Sequence, residues 1–290
     1  MNKIQWYPGH MAKAIRQIKE NLKMVDLVLE LADARLPESS RNPLVQELLV
    51  SKPRLLLLTK KDLADTSETQ KWVNHFQAQQ QAVLAVNSLH ERTSVIEKKI
   101  QQVLADKTAR QKQRGIKQQR LRVMCLGIPN VGKSTLLNQL VGKKAAQTGN
   151  RPGVTKAQQW LKVGKTLDLL DTPGILWPKF EDPLVGQKLA LTGAIKDTLF
   201  AADDIALFAL EFFKNKHPQQ LIERYHLTAA DLQLELPDLL LLITKKIGMR
   251  DDYERASQRI IFDCRQGKLG RYTLDQVPTS TKKLAEKNEK

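Results

Sequence analysis

Short, almost continuously apolar runs alternate along this chain with longer segments in which apolar residues recur every three or four positions. The apolar runs predict strands buried on both faces, and they cover residues 24–32, 54–58, 83–87, 121–126, 158–163 and 166–170. The amphipathic segments predict helices near residues 10–22, 66–80, 93–113 and 133–142. This alternation predicts an α/β fold, with a mostly parallel sheet that carries helices on both sides.

The last two predicted strands are joined only by Gly164 and Lys165, a link that is short enough for a hairpin. We therefore expect one strand to run antiparallel, which makes the sheet mixed. After residue 180 the strand pattern ends, and helical patterns follow near residues 184–194, 201–214, 217–226, 236–248 and 253–267. The predicted organisation is an α/β domain over residues 1–180, an all-helical domain over 181–280 and a lysine-rich flexible tail over 281–290.

The composition predicts a folded protein of the cytoplasm. Hydrophobic residues make up 41% of the 290 residues, and no apolar run approaches the roughly 18 residues that a membrane span needs. The N-terminal residues lack the apolar core of a secretory signal. Cys125 and Cys264 form no C-x-x-C pair, and Cys125 lies in an apolar run, which indicates a buried core thiol in a reducing compartment.

The basic charge is concentrated in the first part of the chain. The net charge is +16, with 30 basic and 14 acidic residues in 1–180 and 17 of each in 181–290. The densest run, residues 98–122, has nine basic residues and one acid, Asp106. This excess favours nucleic acid as a partner over a membrane surface, because the pattern of an amphipathic membrane anchor is missing. The alternative is a solvated charge excess, with 98–122 as an exposed helix face and linker.

Residues 127–134 read G-I-P-N-V-G-K-S, the phosphate-loop pattern G-x-x-x-x-G-K-[ST] between a predicted strand and a predicted helix. The glycines let backbone N–H groups turn toward a β-phosphate, and the helix N-terminus adds the positive end of its dipole. Lys133 is expected to reach the β- and γ-phosphates, and Ser134 to place its hydroxyl on Mg²⁺. The predicted phosphate-side residues are Asn130, Val131, Gly132, Lys133, Ser134 and Thr135.

Residues 171–174 read D-T-P-G and follow the strand 166–170, with Asp171 lying 37 residues after Ser134. At this spacing Asp171 is expected to hold Mg²⁺ through water. Pro173 and Gly174 are expected beside the γ-phosphate, with the Gly174 N–H released on hydrolysis. The intervening N-R-P-G-V-T supplies Thr155 as the predicted second hydroxyl ligand of Mg²⁺, and Thr148 is the alternative.

Residues 59–62 read T-K-K-D after the strand 54–58 and fit the base-reading pattern [NT]-K-x-D. Guanine presents N1–H and N2–H₂ side by side, and Asp62 can accept both. Adenine offers no such donor pair, so this contact discriminates by roughly 10⁴ or more. The stem of Lys60 can lie over the base. The predicted base-side residues are Thr59, Lys60, Lys61 and Asp62, with Asn87 and Ser88 as a closing loop beside guanine O6, and the predicted ligand is GTP or GDP.

The base-reading loop precedes the phosphate loop by about 70 residues, the reverse of the order in an ordinary GTPase. A circular permutation of one domain explains this order. The predicted fold is therefore a circularly permuted P-loop GTPase domain followed by the all-helical domain. Because D-T-P-G then ends the GTPase domain, we hypothesise that the nucleotide state repositions the helical domain.

The permuted order, with R-P-G-V-T, D-A-R-L-P (33–37) and W-Y-P-G-H-M-A-K-A (6–14), resembles the YlqF/RbgA family of bacterial GTPases of large-ribosomal-subunit assembly. The resemblance covers essentially the whole chain. It implies GTP hydrolysis stimulated by the ribosomal particle, contact with ribosomal RNA and not DNA, and release after maturation. It also implies RNA contacts of the helical domain, which we expect among Lys245, Lys246, Arg250, Arg255, Arg259, Arg265 and Arg271.

Ile175 follows D-T-P-G at the place where many GTPases have a water-orienting glutamine, and an isoleucine cannot orient water. The resemblance implies that His10 is catalytic, and that Asn130 is a ligand of a K⁺ ion that replaces an arginine finger. The alternatives are a surface or rRNA-contacting histidine and a loop-shaping asparagine. A regulatory GTP switch with a protein effector is a second class of function, and T-K-K-D disfavours a third, an ATP-driven motor or kinase.

Overall fold

A computed structural model describes residues 9–88, 90–116, 120–142 and 159–278 of the chain, with side chains from residue 11 onward. Within these residues, a six-stranded sheet forms the centre of the first part. Its strands are β1 (Leu27–Asp33), β2 (Arg54–Thr59), β3 (Ala82–Ala85), β4 (Leu121–Gly127), β5 (Gln159–Val163) and β6 (Leu167–Asp171).

The strands lie in the order β3-β2-β1-β4-β6-β5. All neighbouring strands are parallel except β5, which is antiparallel to β6 and is joined to it by the predicted hairpin link at Gly164. Every residue of β1 is buried, as a strand covered on both faces requires. The predicted mixed, mostly parallel sheet is therefore confirmed.

The helices of this part are α1 (Gly9–Asn21), α2 (Pro43–Leu48), α3 (Thr66–Ala78), α4 (Thr93–Val103), α5 (Ala105–Gln113) and α6 (Lys133–Val141). The apolar pattern does not predict α2, because six residues make fewer than two turns and show no period. The helix is instead set by its start, where Asn42 accepts a hydrogen bond from the Leu44 N–H at 3.0 Å and Pro43 takes the first position. The single helix expected over 93–113 is two helices, which meet at Leu104.

The carboxyl ends of β1, β2, β4 and β6 meet at one edge of the sheet. From β1 the chain moves outward through β2 to β3, and it then returns to place β4 on the other side of β1. The strand order thus reverses between β1 and β4. In open α/β sheets, ligands bind outside the carboxyl ends of the strands at such a reversal.

The described residues after β6 form helices and no strand. These helices are α7 (Pro183–Leu191), α8 (Ala202–Lys216), α9 (Pro218–Tyr225), α10 (Leu236–Lys246) and α11 (Tyr253–Arg265). One cluster of buried apolar side chains runs from the sheet into them and includes Leu29, Cys125, Leu210 and Ile260. Cys125 is a free thiol at 0% exposure, which confirms the predicted core thiol, and this burial raises its pKa to about 12.

The division of the chain at residue 180 stays a prediction. Among the described residues, every helix is too short or too polar to cross a membrane.

A C-terminal segment, residues 266–278, returns from α11 to the α/β part. Asp275 is its main polar anchor and is 4% exposed. The Asp275 carboxylate accepts hydrogen bonds from the N–H groups of Glu38 (2.9 Å) and Ser39 (2.7 Å), and it pairs with Lys188 of α7 at 2.8 Å. One carboxylate therefore joins the C-terminal segment, the loop after β1 and α7.

Replacing Asp275 by alanine is expected to lower the free energy of unfolding by about 3 kcal/mol, the scale for removing one partner of a buried ion pair. The substitution leaves the Lys188 ammonium and two backbone N–H groups without their acceptor. Urea denaturation followed by tryptophan fluorescence measures the loss. The exposed neighbour Gln276, changed to alanine, is the control, and equal unfolding midpoints for the two variants would contradict the prediction.

Candidate active site

The loop between β4 and α6 has the backbone of a phosphate cradle. The strand ends at Gly127, and α6 begins at Lys133 directly after Gly132. Asn130 and Gly132 both have left-handed backbone angles, with φ of 56° and 93°. This conformation turns successive N–H groups inward at the start of a helix, which is the arrangement that binds phosphate.

Lys133 and Asp171 form a buried ion pair at the base of this loop. The Lys133 ammonium lies on one carboxylate oxygen, Oδ1. The other, Oδ2, is buried and has no hydrogen-bond partner. A buried, unpartnered carboxylate oxygen beside a phosphate loop fits a hydrated Mg²⁺, which takes few protein ligands and completes its shell with water and phosphate oxygens.

The D-T-P-G segment lies directly against the phosphate loop. A Cβ atom placed on Gly174 would come within 2.8 Å of the backbone N and Cα of Pro129. The N–H of Ile175 donates to the Gly127 carbonyl at 3.1 Å, and the Asn42 side chain donates to the Ile175 carbonyl at 3.1 Å. Glycine is therefore required at 174 by the close approach of the two backbones.

The base-reading loop contacts the phosphate loop through its first residue. The Thr59 hydroxyl lies 2.6 Å from the Val131 carbonyl and 3.0 Å from the Ala32 carbonyl. A Cβ atom on Gly132 would lie 3.5 Å from Ser88 Oγ, which is buried without a hydrogen-bond partner. The three loops predicted for phosphate, base and base closure therefore meet at one place.

The other residues predicted for the base side, Lys61, Asp62 and Asn87, lie in the loops after β2 and β3. Asp62 is exposed, so its carboxylate is accessible to a ligand. Lys61 pairs with Glu91 at 2.6 Å, and its N–H bonds the Val86 carbonyl at 3.3 Å. The Asn87 carbonyl accepts the Glu91 N–H at 2.9 Å, which forms a turn after β3. The ion pair to Glu91 gives Lys61 a structural contact besides the predicted one.

A buried charge cluster behind Lys60 is absent from the sequence prediction. The Lys60 ammonium lies 3.0 Å from Asp33 Oδ2, and Arg35 donates to both carboxylate oxygens of Asp33, at 2.9 and 2.8 Å. Burial alone raises the pKa of Asp33, but the charges of Arg35 and Lys60 outweigh it and hold the pKa below its usual range. A carboxylate and a guanidinium two residues apart at the end of an apolar strand are the sequence signal that could have revealed this cluster.

The other predicted residues divide into two groups. Ser134 and Thr135 lie in the first turn of α6, and Pro173 is buried beside Gly174. His10 lies in the first turn of α1, but its side chain is outside the described residues. Thr155 and its alternative Thr148 also lie outside the described residues.

Among the described residues, a hydrogen bond joins the helical part to the phosphate loop. The Asn130 amide donates to the Gly193 carbonyl at 3.3 Å, just after α7. Arg265 of α11 donates to the Ala190 and Leu191 carbonyls at the end of α7, at 2.7 and 3.0 Å. Arg265 thus holds the α7 terminus beside Asn130, a structural contact besides the predicted RNA contact, which stays a prediction.

The comparisons with known proteins agree with this geometry. A family model described as 50S ribosome-binding GTPase matches residues 122–257. Ribosome biogenesis GTPase A of Priestia megaterium is 47% identical over 283 residues, and the match covers 94% of this chain and 96% of that protein. This chain belongs to the ribosome biogenesis GTPase A family.

More distant relatives also match over nearly the whole chain, at lower identity. Mitochondrial ribosome-associated GTPase 1 of Mus musculus is 35% identical over 296 residues, covering 94% of this chain and 90% of that protein. The structure of GNP-bound YlqF from T. maritima has a TM-score of 0.64 and 27% identity, and covers 91% of this chain and 98% of that one. The structure of GDP-bound TM YlqF has a TM-score of 0.66, 28% identity, and coverage of 90% and 99%.

Membership of the ribosome biogenesis GTPase A family confirms the predicted circularly permuted P-loop GTPase fold with a helical C-terminal part, and the predicted GTP hydrolase activity. The ligand is a guanine nucleotide. The individual roles assigned to the site residues stay predictions.

In this ribosome biogenesis GTPase, Gly174→Ala is expected to lower GTP turnover by on the order of 10²-fold, the scale for losing one positioned backbone donor. The added methyl group pushes residue 174 away from Pro129 and hence from the γ-phosphate, while GDP binding is retained. Single-turnover GTP hydrolysis and GDP titration measure the two effects. Gln276→Ala, at an exposed position of the C-terminal segment, is the control, and equal turnover by both variants would refute the assignment.

Proposed function

We propose that this GTPase binds the large ribosomal subunit or its precursor in the cytoplasm and promotes its late assembly, with ribosome-stimulated hydrolysis and GTP-dependent release. The observation that carries the proposal is the contact of the base-reading, base-closing and phosphate loops at one sheet edge. It occurs in a chain that is 47% identical to a ribosome biogenesis GTPase A over nearly its whole length.

On the phosphate side, the N–H groups of 130–134 and the α6 terminus bind the phosphates, with Asn130, Val131, Gly132 and Thr135 shaping the loop. Lys133 leaves Asp171 to reach the β- and γ-phosphates, which frees the Asp171 carboxylate. Asp171, Ser134 and Thr155 would hold Mg²⁺, which when bound neutralises charge between the β- and γ-phosphates. Pro173 and Gly174 carry the N–H that contacts the γ-phosphate.

On the base side, Asp62 accepts the two guanine donors, and the Lys60 stem lies over the base. Lys61 and Thr59 fix the loop through Glu91 and Val131. Asn87 and Ser88 close the site at guanine O6, where the unpartnered Ser88 hydroxyl is available.

The group that orients the attacking water must come from outside the D-T-P-G segment. The Ile175 side chain is only 2% exposed, belongs to the core cluster and has no polar atom that could orient a water. His10 is the proposed catalytic residue. Asn130 is the proposed ligand of a K⁺ ion, and its partial burial beside Gly193 would hold the side chain in place for that role.

The proposed RNA surface lies at the amino-terminal edge of the sheet, opposite the nucleotide site. The helix α5 has no buried residue, and it carries Lys107, Arg110 and Lys112. Lys107 pairs with Asp26 at 2.5 Å, and the Asp26 carboxylate also accepts the Arg122 N–H at 2.8 Å. These contacts place the basic helix beside the start of β4.

An exposed aromatic ring lies beside the Arg122 side chain, on the edge strand β5 and opposite Leu170 of β6. Trp160 on the edge strand β5 is 43% exposed, and the Arg122 guanidinium lies 5.8 Å from its ring centroid. Exposed aromatic rings among basic side chains are typical of surfaces that stack unpaired bases and contact phosphates. The face of α11 that carries Arg255, Arg259 and Phe262 is the proposed second contact, with Lys268 5.2 Å from the Phe262 ring centroid.

The first test is GTP turnover in potassium buffer with and without purified large subunits. We expect strong stimulation by the particle and its loss in His10→Ala, with GTP affinity unchanged, because the histidine acts on water and not on nucleotide binding. Sodium in place of potassium tests the K⁺ ion in the same assay.

His226→Ala is the control for this assay, since His226 is exposed on the helical part. Stimulation by a protein fraction and not by ribosomal particles would favour a regulatory switch with a protein effector. Particle-stimulated turnover that survives in His10→Ala would remove His10 from the mechanism.

The RNA surface is tested by the salt dependence of large-subunit binding. The double variant Arg110→Glu, Arg114→Glu on and after α5 is expected to weaken binding and to reduce the slope of log affinity against log salt by about one to two. A matched pair of charge reversals elsewhere, Lys71→Glu with Lys216→Glu, should change the slope less. Equal slopes for the two double variants would place the RNA contacts elsewhere.

A further inference from the structure

The C-terminal segment lies directly under the base-reading loop. The Tyr272 N–H donates to the Leu63 carbonyl at 3.1 Å, one residue after Asp62. The Asp65 N–H donates to the Thr273 hydroxyl at 3.3 Å. The backbone that carries Asp62 is therefore held from below by residues more than 200 positions later in the chain.

Tyr272 also reaches the other side of this loop through its side chain. Its phenolic oxygen accepts a hydrogen bond from Arg35 at 3.1 Å and lies 3.2 Å from the Cys264 carbonyl. Arg35 in turn donates hydrogen bonds to both carboxylate oxygens of Asp33, and Asp33 forms an ion pair with the Lys60 ammonium. A continuous chain of contacts thus leads from the end of α11 to the lysine that precedes Asp62 by two residues.

The Asp33, Arg35 and Tyr272 side chains in this chain of contacts are buried, so they have no water to replace a lost hydrogen-bond partner. Arg35 and Tyr272 are among the largest fully buried side chains, at 1% and 0% exposure. A buried guanidinium has no water to replace a lost partner, so loss of the phenolic oxygen must be absorbed by movement of Arg35 and Asp33. Lys60 already holds a left-handed backbone angle, φ 56°, which the surrounding contacts must maintain.

These contacts all lie on the base side of the nucleotide site. They involve Leu63, Lys60 and Asp33, and none of them involves the D-T-P-G segment that faces the γ-phosphate. The guanine base and ribose are common to GDP and GTP. Contacts on this side therefore respond to whether a guanine nucleotide is bound, and not to which one.

We propose that Tyr272 is a positioning residue for guanine recognition, acting through Arg35 and Asp33 on Lys60 and through its own N–H on Leu63. By linkage, guanine-nucleotide binding and docking of the C-terminal segment stabilise each other. GDP and GTP produce this coupling equally. The inference rests on the reading of guanine by Asp62 and needs no ribosomal particle.

The test is Tyr272→Phe, which removes one oxygen and keeps the ring. Titration with GDP and with a non-hydrolysable GTP analogue should show both affinities reduced by the same factor, about three- to tenfold, the scale of one net hydrogen bond. Turnover at saturating GTP should be unchanged, because the residue lies away from the γ-phosphate. Tyr253→Phe is the matched control, since Tyr253 is 51% exposed on α11.

Two results would overturn the proposal. Unchanged affinities together with a lowered melting temperature would make Tyr272 a structural residue only. A loss confined to the GTP analogue would place the coupling at the γ-phosphate.

Amide hydrogen exchange tests the same coupling in the unaltered protein. Exchange at Tyr272, whose N–H bonds the Leu63 carbonyl, should slow to the same extent with GDP and with the GTP analogue. Slowing by the GTP analogue alone, or by neither nucleotide, would contradict the proposal. Because these measurements contain no ribosomal particle, their outcome is independent of the proposed large-subunit partner.

Discussion

The parallel pairing of β1 with β4 is the interaction on which the nucleotide site depends. The two strands are separated in the chain by two further strands, and their pairing aligns Leu31 with Gly127, the first residue of the phosphate loop. Since β2 pairs with β1 on the other side, Thr59 is brought within 2.6 Å of the Val131 carbonyl. A permuted chain can therefore build the same site as an unpermuted one, because the sheet and not the chain order decides which loops are neighbours.

Two buried charge clusters lie behind this edge, and they differ in what they do. Lys133 and Asp171 form an ion pair that leaves one oxygen of the Asp171 carboxylate without a partner. A bound ligand can therefore change the partners of both side chains. Asp33, Arg35 and Lys60 satisfy one another more fully, and the cluster is closed by Tyr272. Burying charges is costly, and such clusters persist where they fix a geometry that apolar packing leaves undefined. The first cluster serves the phosphates, and the second holds the loop that reads the base.

The part of the chain after β6 contacts the nucleotide site on both its phosphate side and its base side. Gly193 meets Asn130 on the phosphate side, and the C-terminal segment supports Leu63 and Asp65 on the base side. The hypothesis that the nucleotide state repositions the helical domain stays a prediction. The basic α5 lies beside the starts of β1 and β4, at the amino-terminal edge of the sheet, whereas the exposed Trp160 is paired with Leu170 near the carboxyl end of β6.

The sequence by itself determined the strands, the parallel sheet and the guanine-nucleotide loops, because these depend on local apolar runs and on motifs of four to eight residues. The sequence pattern did not predict α2, because a helix of six residues is too short to show a helical period. It also predicted one helix where the structure has α4 and α5, which meet at Leu104. Only the tertiary structure decided that Arg35 meets Tyr272, 237 positions away, and that Arg265 donates to the carbonyls at the end of α7. A lone arginine in a sequence reads as surface charge, and its burial follows only from partners that folding brings to it.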